Sequence, residues 1–274
     1  ATPGGRWVEA GDDGAPTTTC TLSEDGWSGD TEMVNRSPEL HFRNDTGEEH
    51  LFVLEYAAWT DQAATAAEVT ALQKFRDLFS SEVLRPGERI AIGNLTFLFT
   101  DLRDSTRFYR EVGDAPAFAQ VMAHFDVLRD AIAANDGAIV KTAGDSVMAV
   151  FHRPVGALRS MLQAKQALAA AASGIPAFRV KAGIHQGPCV AVNSNDRLDY
   201  FGTTVNLCAR LEGLSTGHDI VLSDAVYHDP EVEADLAAAT HLTCEPGTAE
   251  VKGFDGEPVA LWRITGWGQR PAGG

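Results

Sequence analysis

Apolar and polar positions first alternate in LHFRNDTGEEHLFVLEY (Leu40 to Tyr56), in two halves around Asn44-Asp45-Thr46-Gly47. Alternation about a turn-forming tetrad predicts strand, turn, strand. Upstream, residues 1–35 are rich in Gly, Thr, Asp and Ser with little periodicity, which predicts a loop-rich tail. Downstream the period changes. Val69, Leu72, Phe75 and Phe79 recur at three- and four-residue steps, predicting a helix from Thr60, its N-cap, to Leu84. Arg85-Pro86-Gly87 ends it.

A second domain begins near Ile90. NLTFLFTD (Asn94 to Asp101) is an apolar run that ends on a carboxylate, the pattern of a buried strand with a polar tip. Asp114 to Asn135 predicts an amphipathic helix: Pro116 sits near its start, and Phe118, Val121, Met122, Phe125, Leu128 and Ile132 form one stripe. IVKTAGDSVMAVF (Ile139 to Phe151) reads as a hairpin turning at Ala143-Gly144. Pro154 to Ser173 is a further helix, with Leu158, Met161, Leu162 and Leu168 inward. FRVKAGIHQGPCVAV (Phe178 to Val192) reads as a strand pair, Gly202 to Leu214 as helix, and Asp219 to Leu222 as strand. VKGFDGEPVALWRI (Val251 to Ile264) reads as a hairpin turning near Asp255-Gly256. Strands and helices mix and several strand pairs are hairpins, so the class is α+β with a mostly antiparallel sheet. The expected division is a loop-rich tail over 1–35, a β-hairpin plus helix over 36–92, a main domain over 93–266 and a flexible tail over 267–274.

Bulk properties narrow the chemistry. At 274 residues and 44% hydrophobic, the chain can bury a sizeable core. Its net charge is −16, with no Lys/Arg cluster, which argues against a nucleic-acid backbone or an anionic membrane as partner. No apolar run reaches the roughly 18–20 residues of a membrane span. The chain opens on ATPGG without Met, as expected of a fragment or processed form. Cys20, Cys189, Cys208 and Cys244 lie far apart without a CxxC pair, as expected of reduced thiols in a cytoplasmic protein.

Four segments carry candidate chemistry, in this order: FTDLRDST, KTAGDSVMAVF, LDYFGTTVNLCARLE and EVKGF. Taken singly, Asp101 reads as a strand-end cap, Asp145 as a turn residue, and Asn206 with Arg210 as an exposed helical pair. As a set with these spacings they make the chain resemble the class III nucleotidyl cyclases, the adenylate and guanylate cyclase catalytic domains, over roughly residues 93–264. Residues 36–92 resemble, more weakly, the region that precedes the catalytic domain in some bacterial cyclases.

The resemblance implies a ferredoxin-like core and a homodimer with its active sites at the subunit interface. It implies that Asp101, the adjoining Leu102 and Asp145 hold two divalent ions, Mg²⁺ or Mn²⁺. Lys141 and Asp199 would read the base, and Asn206 and Arg210 would act on the transition state. Lys252, Ser105 and Thr106 would take the phosphates, and Gly183 and Gly187 would be structural. The Thr60–Leu84 helix reads equally as a coiled-coil transmitter from an upstream sensor domain or as a helix packed against its own domain, its apolar stripe being too short to define a heptad repeat.

Physical chemistry supports these roles. Two hard cations held by carboxylates can lower the pKa of a ribose 3′-hydroxyl and neutralise a triphosphate. Arginine presents a planar fork of donors to charge building on an α-phosphoryl group. Adenine offers N1 as acceptor and N6 as donor, which suits a lysine beside an aspartate. Guanine presents the reverse, and guanylate cyclases generally place an acidic residue where Lys141 stands. The pair therefore implies ATP, with a guanylate or mixed purine cyclase and a non-catalytic nucleotide-binding or dimerisation module as alternatives. One position departs from the family pattern: Asp104 stands where a glycine is usual, beside Arg103. GDSV (Gly144 to Val147) also resembles the GDS-type esterases, but their Asp-x-x-His spacing is missed by one residue in Asp224…His228.

Overall fold

A computed structural model describes residues 8–24, 26–29, 33–50, 52, 64–85, 87–171, 179–254 and 258–267. The chain forms two compact units, 1–63 and 64–274.

The first unit is a three-stranded sheet. Strand β1 (Glu9–Ser23) lies between β2 (Gly26–Gly29), antiparallel to it, and β3 (Met33–Asn44), parallel to it. This corrects the expected loop-rich tail. Thr18, Cys20 and Leu22 alternate inward, a period-two signal written in threonine and cysteine rather than in large apolar residues. The turn after β3 is present, with Asn44 Nδ2 donating to the Glu48 carbonyl at 2.7 Å. The expected return strand lies mostly outside the described residues.

The second unit starts earlier than the expected boundary at 92. The long helix expected over 60–84 is two short ones, α1 (Ala66–Thr70) and α2 (Gln73–Phe79). Thr60 lies outside the described residues. Thr65 caps α1 in a reciprocal box with Glu68.

Eight strands make the main sheet: β4 (Arg89–Leu102), β5 (Gly137–Ala143), β6 (Ser146–Phe151), β7 (Val180–Ser194), β8 (Arg197–Phe201), β9 (Ile220–Ser223), β10 (Thr243–Ala249) and β11 (Val259–Thr265). The order is β10-β11-β9-β7-β4-β6-β5, with β8 pairing the far half of β7. Among the described residues of this sheet only β7 and β9 run parallel. The helices are α3 (Ser105–Val112), α4 (Asp114–Ala134), α5 (Pro154–Ala171), α6 (Thr203–Leu214), α7 (Asp224–Tyr227) and α8 (Pro230–Ala238). The result is the expected α+β class, a mostly antiparallel sheet flanked by helices.

Both faces of the central strands are covered, which explains their unbroken apolar runs. On β6, Val147, Ala149 and Phe151 join one core with Leu128, Ile132, Leu158 and Met161 of α4 and α5. Met148 and Val150 join the other, with Leu95 and Phe97 of β4 and Val205 and Cys208 of α6.

Three local readings are corrected. Residues 178–192 do not form a strand pair. Val180–Ser194 is one strand, and the turn lies at Asn195-Asp196, both at positive φ, a type I′ pattern. Val251 is not in a strand. Strand β11 pairs with β10 upstream, and Asp255-Gly256 lie outside the described residues. On α4 the inward face runs through Ala117, Val121, His124 and Leu128, while Phe118 and Met122 are exposed.

Candidate active site

Asp101 lies at the end of β4, a central strand laddered on both sides. Leu95, Phe97 and Phe99 pack with the core under α6, so the two-residue period of the strand puts Asp101 on that face. Opposite, β5 and β6 join through Gly144-Asp145, one residue later than expected, with Gly144 at φ +62° as a two-residue hairpin of this kind requires. The hairpin brings Ser146 to Asp101, and its hydroxyl donates to Asp101 Oδ1 at 2.6 Å.

Asp145 Oδ2 is buried and has no hydrogen-bond partner among the described residues. A buried carboxylate oxygen left unpaired is costly unless a cation meets it. Asp101 and Asp145 thus fit a site for hard divalent cations. Among the described residues no group of three His, Cys, Asp or Glu gathers as a metal set, so further oxygens would come from backbone, water and substrate. Leu102 is buried beside Asp101.

Sequence reasoning missed three neighbours of these carboxylates. Lys181 faces Asp101 across the β4–β7 ladder and pairs with Glu212 of α6 at 2.7 Å, both largely buried. Burial raises the Glu212 pKa, Lys181 opposes that shift, and Asp101 and Asp145 add to it. Burial and the same two aspartates raise the Tyr109 hydroxyl. One lysine therefore stands among three carboxylates, which leaves an anionic site. Lys181 was legible as the residue just before AGIHQG, but its partner lies 31 residues away.

Helix α6 reaches the site because β7 carries glycines beneath it. A Cβ at Gly183 would lie 2.2 Å from the Glu212 nitrogen, and one at Gly187 would lie 2.8 Å from Thr204 Oγ1. The expected structural role of both glycines is this close approach. Cys208, fully buried, donates to the carbonyls of Phe97 and Gly183 at 3.0 and 3.3 Å. Thr204, Val205, Cys208 and Leu211 turn inward. Asn206 and Arg210, one helical turn apart, face outward and exposed.

The other charge pair is formed within the chain. Lys141 Nζ lies 2.5 Å from Asp199 Oδ2. The pairing rests on a β-bulge. Ile139 faces Ala149, but Lys141 faces Met148, so Val140 is an extra residue. The inserted residue shifts Lys141 onto the face that carries Met148, and with it Ser146. Asp199 is held by a second bond, from the Tyr200 N–H to Oδ1 at 2.8 Å.

The phosphate candidates are looser. Ser105 and Thr106 begin α3, and Lys252 is exposed in the β10–β11 connection. Asp104 sits at the N-cap of α3 with φ 59° and ψ 24° and makes no capping bond. This is left-handed backbone, which explains why glycine is usual there. Its carboxylate turns to Arg103 at 3.5 Å. Arg103 is itself tied down, with its N–H to the Arg179 carbonyl at 2.8 Å and its guanidinium to the Thr216 carbonyl at 2.7 Å. The esterase alternative finds no support. Ser146 is bonded to Asp101, and His228 packs against Asp224, Tyr227 and Trp262.

The fold and these residues define a nucleotidyl cyclase domain. The chain belongs to that family: the adenylate and guanylate cyclase catalytic domain matches residues 88–262. It is 31% identical over 210 residues to Adenylate cyclase 1 of Rhizobium meliloti, covering 63% of this chain and 32% of that protein. It is 30% identical over 173 residues to an adenylate cyclase of Lachancea kluyveri, covering 54% of this chain and 9% of that protein. The chain thus spans a third or less of the length of these relatives. Among solved structures it is similar to the adenylyl cyclase CyaB from P. aeruginosa, with TM-score 0.53, 25% identity, and coverage of 68% of this chain and all of that one. The guanylate cyclase domain of RhGC from Catenaria anguillulae shares the fold at 18% identity and TM-score 0.55, covering 65% of this chain and 98% of that one. Among the described residues no helix is long and apolar enough to cross a membrane.

Proposed function

We propose that this domain is an adenylate cyclase, converting ATP to 3′,5′-cyclic AMP and pyrophosphate. The observation that carries the choice of ATP is the Lys141–Asp199 pair, a donor beside an acceptor. Lys141 would donate to adenine N1 while Asp199 accepts from N6. Similarity to Adenylate cyclase 1 of Rhizobium meliloti points the same way.

In this reading the ribose 3′-hydroxyl attacks the α-phosphorus, and the bond to the pyrophosphate oxygen breaks. Asp101, Asp145 and the Leu102 backbone would hold Mg²⁺ or Mn²⁺, which when bound would acidify the hydroxyl and neutralise phosphate charge. Asn206 would donate to the ribose and fix the line of attack. Arg210 would donate to the α-phosphoryl oxygens as charge builds there. Lys252, Ser105 and Thr106 would take the outgoing phosphates. Asn206 and Arg210, outward and without a partner among the described residues, suit a site completed by a second subunit. A symmetric homodimer would then hold two complete sites. A cytoplasmic setting and an upstream sensor belong to the same reading.

The test is purified protein with Mn²⁺ and each of the four nucleoside triphosphates, products read by mass spectrometry. Cyclic AMP from ATP is the expected product. Cyclic GMP as the main product would overturn the base assignment. Tight ATP binding without any cyclic product would replace catalysis by a binding role.

A further inference from the structure

Among the described residues Lys141 and Asp199 sit on strands that share no ladder: β5 is the last strand of the sheet order, and β8 pairs only with β7. Each strand therefore has an edge not paired by another strand, which left open is a loose or aggregation-prone element. One segment closes both. The Ile139 N–H, beside the bulge that re-aims Lys141, donates to Gln73 Oε1 at 2.7 Å. The Leu198 N–H donates to the Ser80 carbonyl at 2.8 Å, and the Leu198 carbonyl accepts from Arg76. Arg76 also donates to the Tyr200 hydroxyl at 3.3 Å and lies 5.4 Å from that ring's centroid. The Tyr200 hydroxyl donates in turn to the Thr70 carbonyl at 3.0 Å, closing the network on α1.

Leu198 and Tyr200 flank Asp199, so Arg76 grips β8 on both sides of it, while Gln73 holds β5 two residues before Lys141. The cleft beside Lys141 is walled by Gln73, Arg76 and Ser80, with Thr142 and Arg197 among its other walls. Arg76 is 5% exposed. A guanidinium that deep is retained only with its donors engaged. Here they meet backbone and a tyrosine rather than a carboxylate, so the group serves as a clamp rather than as half of an ion pair.

We infer that Arg76 and Gln73 are positioning residues for base selection: α2 sets the spacing of Lys141 and Asp199, and a displacement of α2 is felt first as a change in which purine is accepted. This rests on the assignment of Lys141 and Asp199 as base readers. It goes beyond that assignment because both positioning residues lie before the matched family region, which begins at residue 88.

The test is the ratio of ATP to GTP affinity, read by direct nucleotide binding as well as by kcat/KM, in Arg76→Met, Gln73→Leu and wild type. Loss of one clamp bond should lower the ATP preference by about tenfold in either variant, through KM more than kcat. Arg76→Lys, which keeps one charged donor, should recover part of it. Gln73 is the gentler probe, because its loss removes one edge bond without leaving a buried charge. Unchanged selectivity in Gln73→Leu and Arg76→Met, with melting temperatures near wild type, would overturn the inference. So would equal losses for ATP and GTP in both. Absence of cyclic product from wild type would sink the catalytic assignment alone, since the binding ratio still judges Arg76 and Gln73.

Discussion

The two ends of this site are built differently. The carboxylate end hangs from β4, which ladders to β7 along most of its length and to β6 from Thr96 to Thr100. Each neighbour fixes the register, so Asp101 and Ser146 meet at 2.6 Å with no help from outside the sheet. The Lys141–Asp199 end lies on two strands without a common ladder, and its spacing depends on a bulge, an ion pair and a short helix. Central strands confer rigidity through redundancy. An edge pair braced by one helix can be re-spaced by whatever moves the helix. The carboxylate end is therefore held in fixed geometry, and under the proposed function the other end is where selectivity could be adjusted.

The largest expected effect tests whether the site spans two subunits. Asp101→Ala and Arg210→Ala should each lower the cyclisation rate by about 10³-fold or more, as loss of a metal ligand or of a transition-state arginine does. Mixing the two inactive proteins should restore part of the rate, measured as cyclic AMP formed by confirmed heterodimers. No recovery would place a complete site in one chain.

Next comes the Lys141–Asp199 end. Lys141→Glu with Asp199→Ser should lower the ATP-over-GTP ratio in kcat/KM by roughly 10–100-fold, the worth of a mispaired base edge. The carboxylate end should be untouched, so the dependence on metal concentration should stay as in wild type. Unchanged selectivity would show that the pair does not read the base.

A third effect concerns stability. Burial holds the pKa of His124 down at about 4, with nearby Lys165 adding to it, and burial alone holds His185 at about 4. Unfolded histidine titrates near about 6.5, so between these values the unfolded chain binds more protons than the folded one. The stability of the neutral buried rings is whole above pH about 6.5 and is lost as pH falls toward about 4. For His124 the loss by pH 5 is about 2 kcal/mol, to be read from urea midpoints at pH 7 and 5. His124→Phe should flatten that slope, and an unflattened one would assign it to other groups.

The smallest effect is expected at Asp104. Asp104→Gly removes an exposed carboxylate from the loop after Asp101 and relieves its left-handed backbone. The KM for ATP should fall about two- to fivefold, in proportion to one screened charge. A raised KM would mean that Asp104 helps to hold a metal or to orient Arg103.

What was legible in the chain follows from range. Asp101 and Asp145 could be placed at a strand end and in a hairpin turn because both features are written in adjacent residues, while a metal role for them came from the resemblance of the whole motif set. The Asn206–Arg210 pair was visible as a four-residue step. The Gln73–Ile139 bond spans 66 residues and the Arg76–Leu198 bond 122, and no local pattern announces either. Arg76 sits inside a helical pattern where a charged residue ordinarily faces water. Strand β1 was missed for a different reason: its inward positions are Thr18, Cys20 and Leu22, a mixed set that reads as loop until a neighbouring strand pairs with it.

The sequence by itself determined the α+β class, the order of the motifs and the chemistry each could carry. Periodicity and turn residues act within a few positions, and the motif spacings survive any packing. Only the tertiary structure decided that Val140 is a bulge and so where Lys141 faces. It also decided that Lys181 and Glu212 stand behind the aspartates, and that α2 bonds to β5 and β8 beside Lys141 and Asp199. Those facts depend on how strands pair and which helix covers which edge. Such choices are made by burial and hydrogen-bond satisfaction over the whole unit, not by any stretch of it.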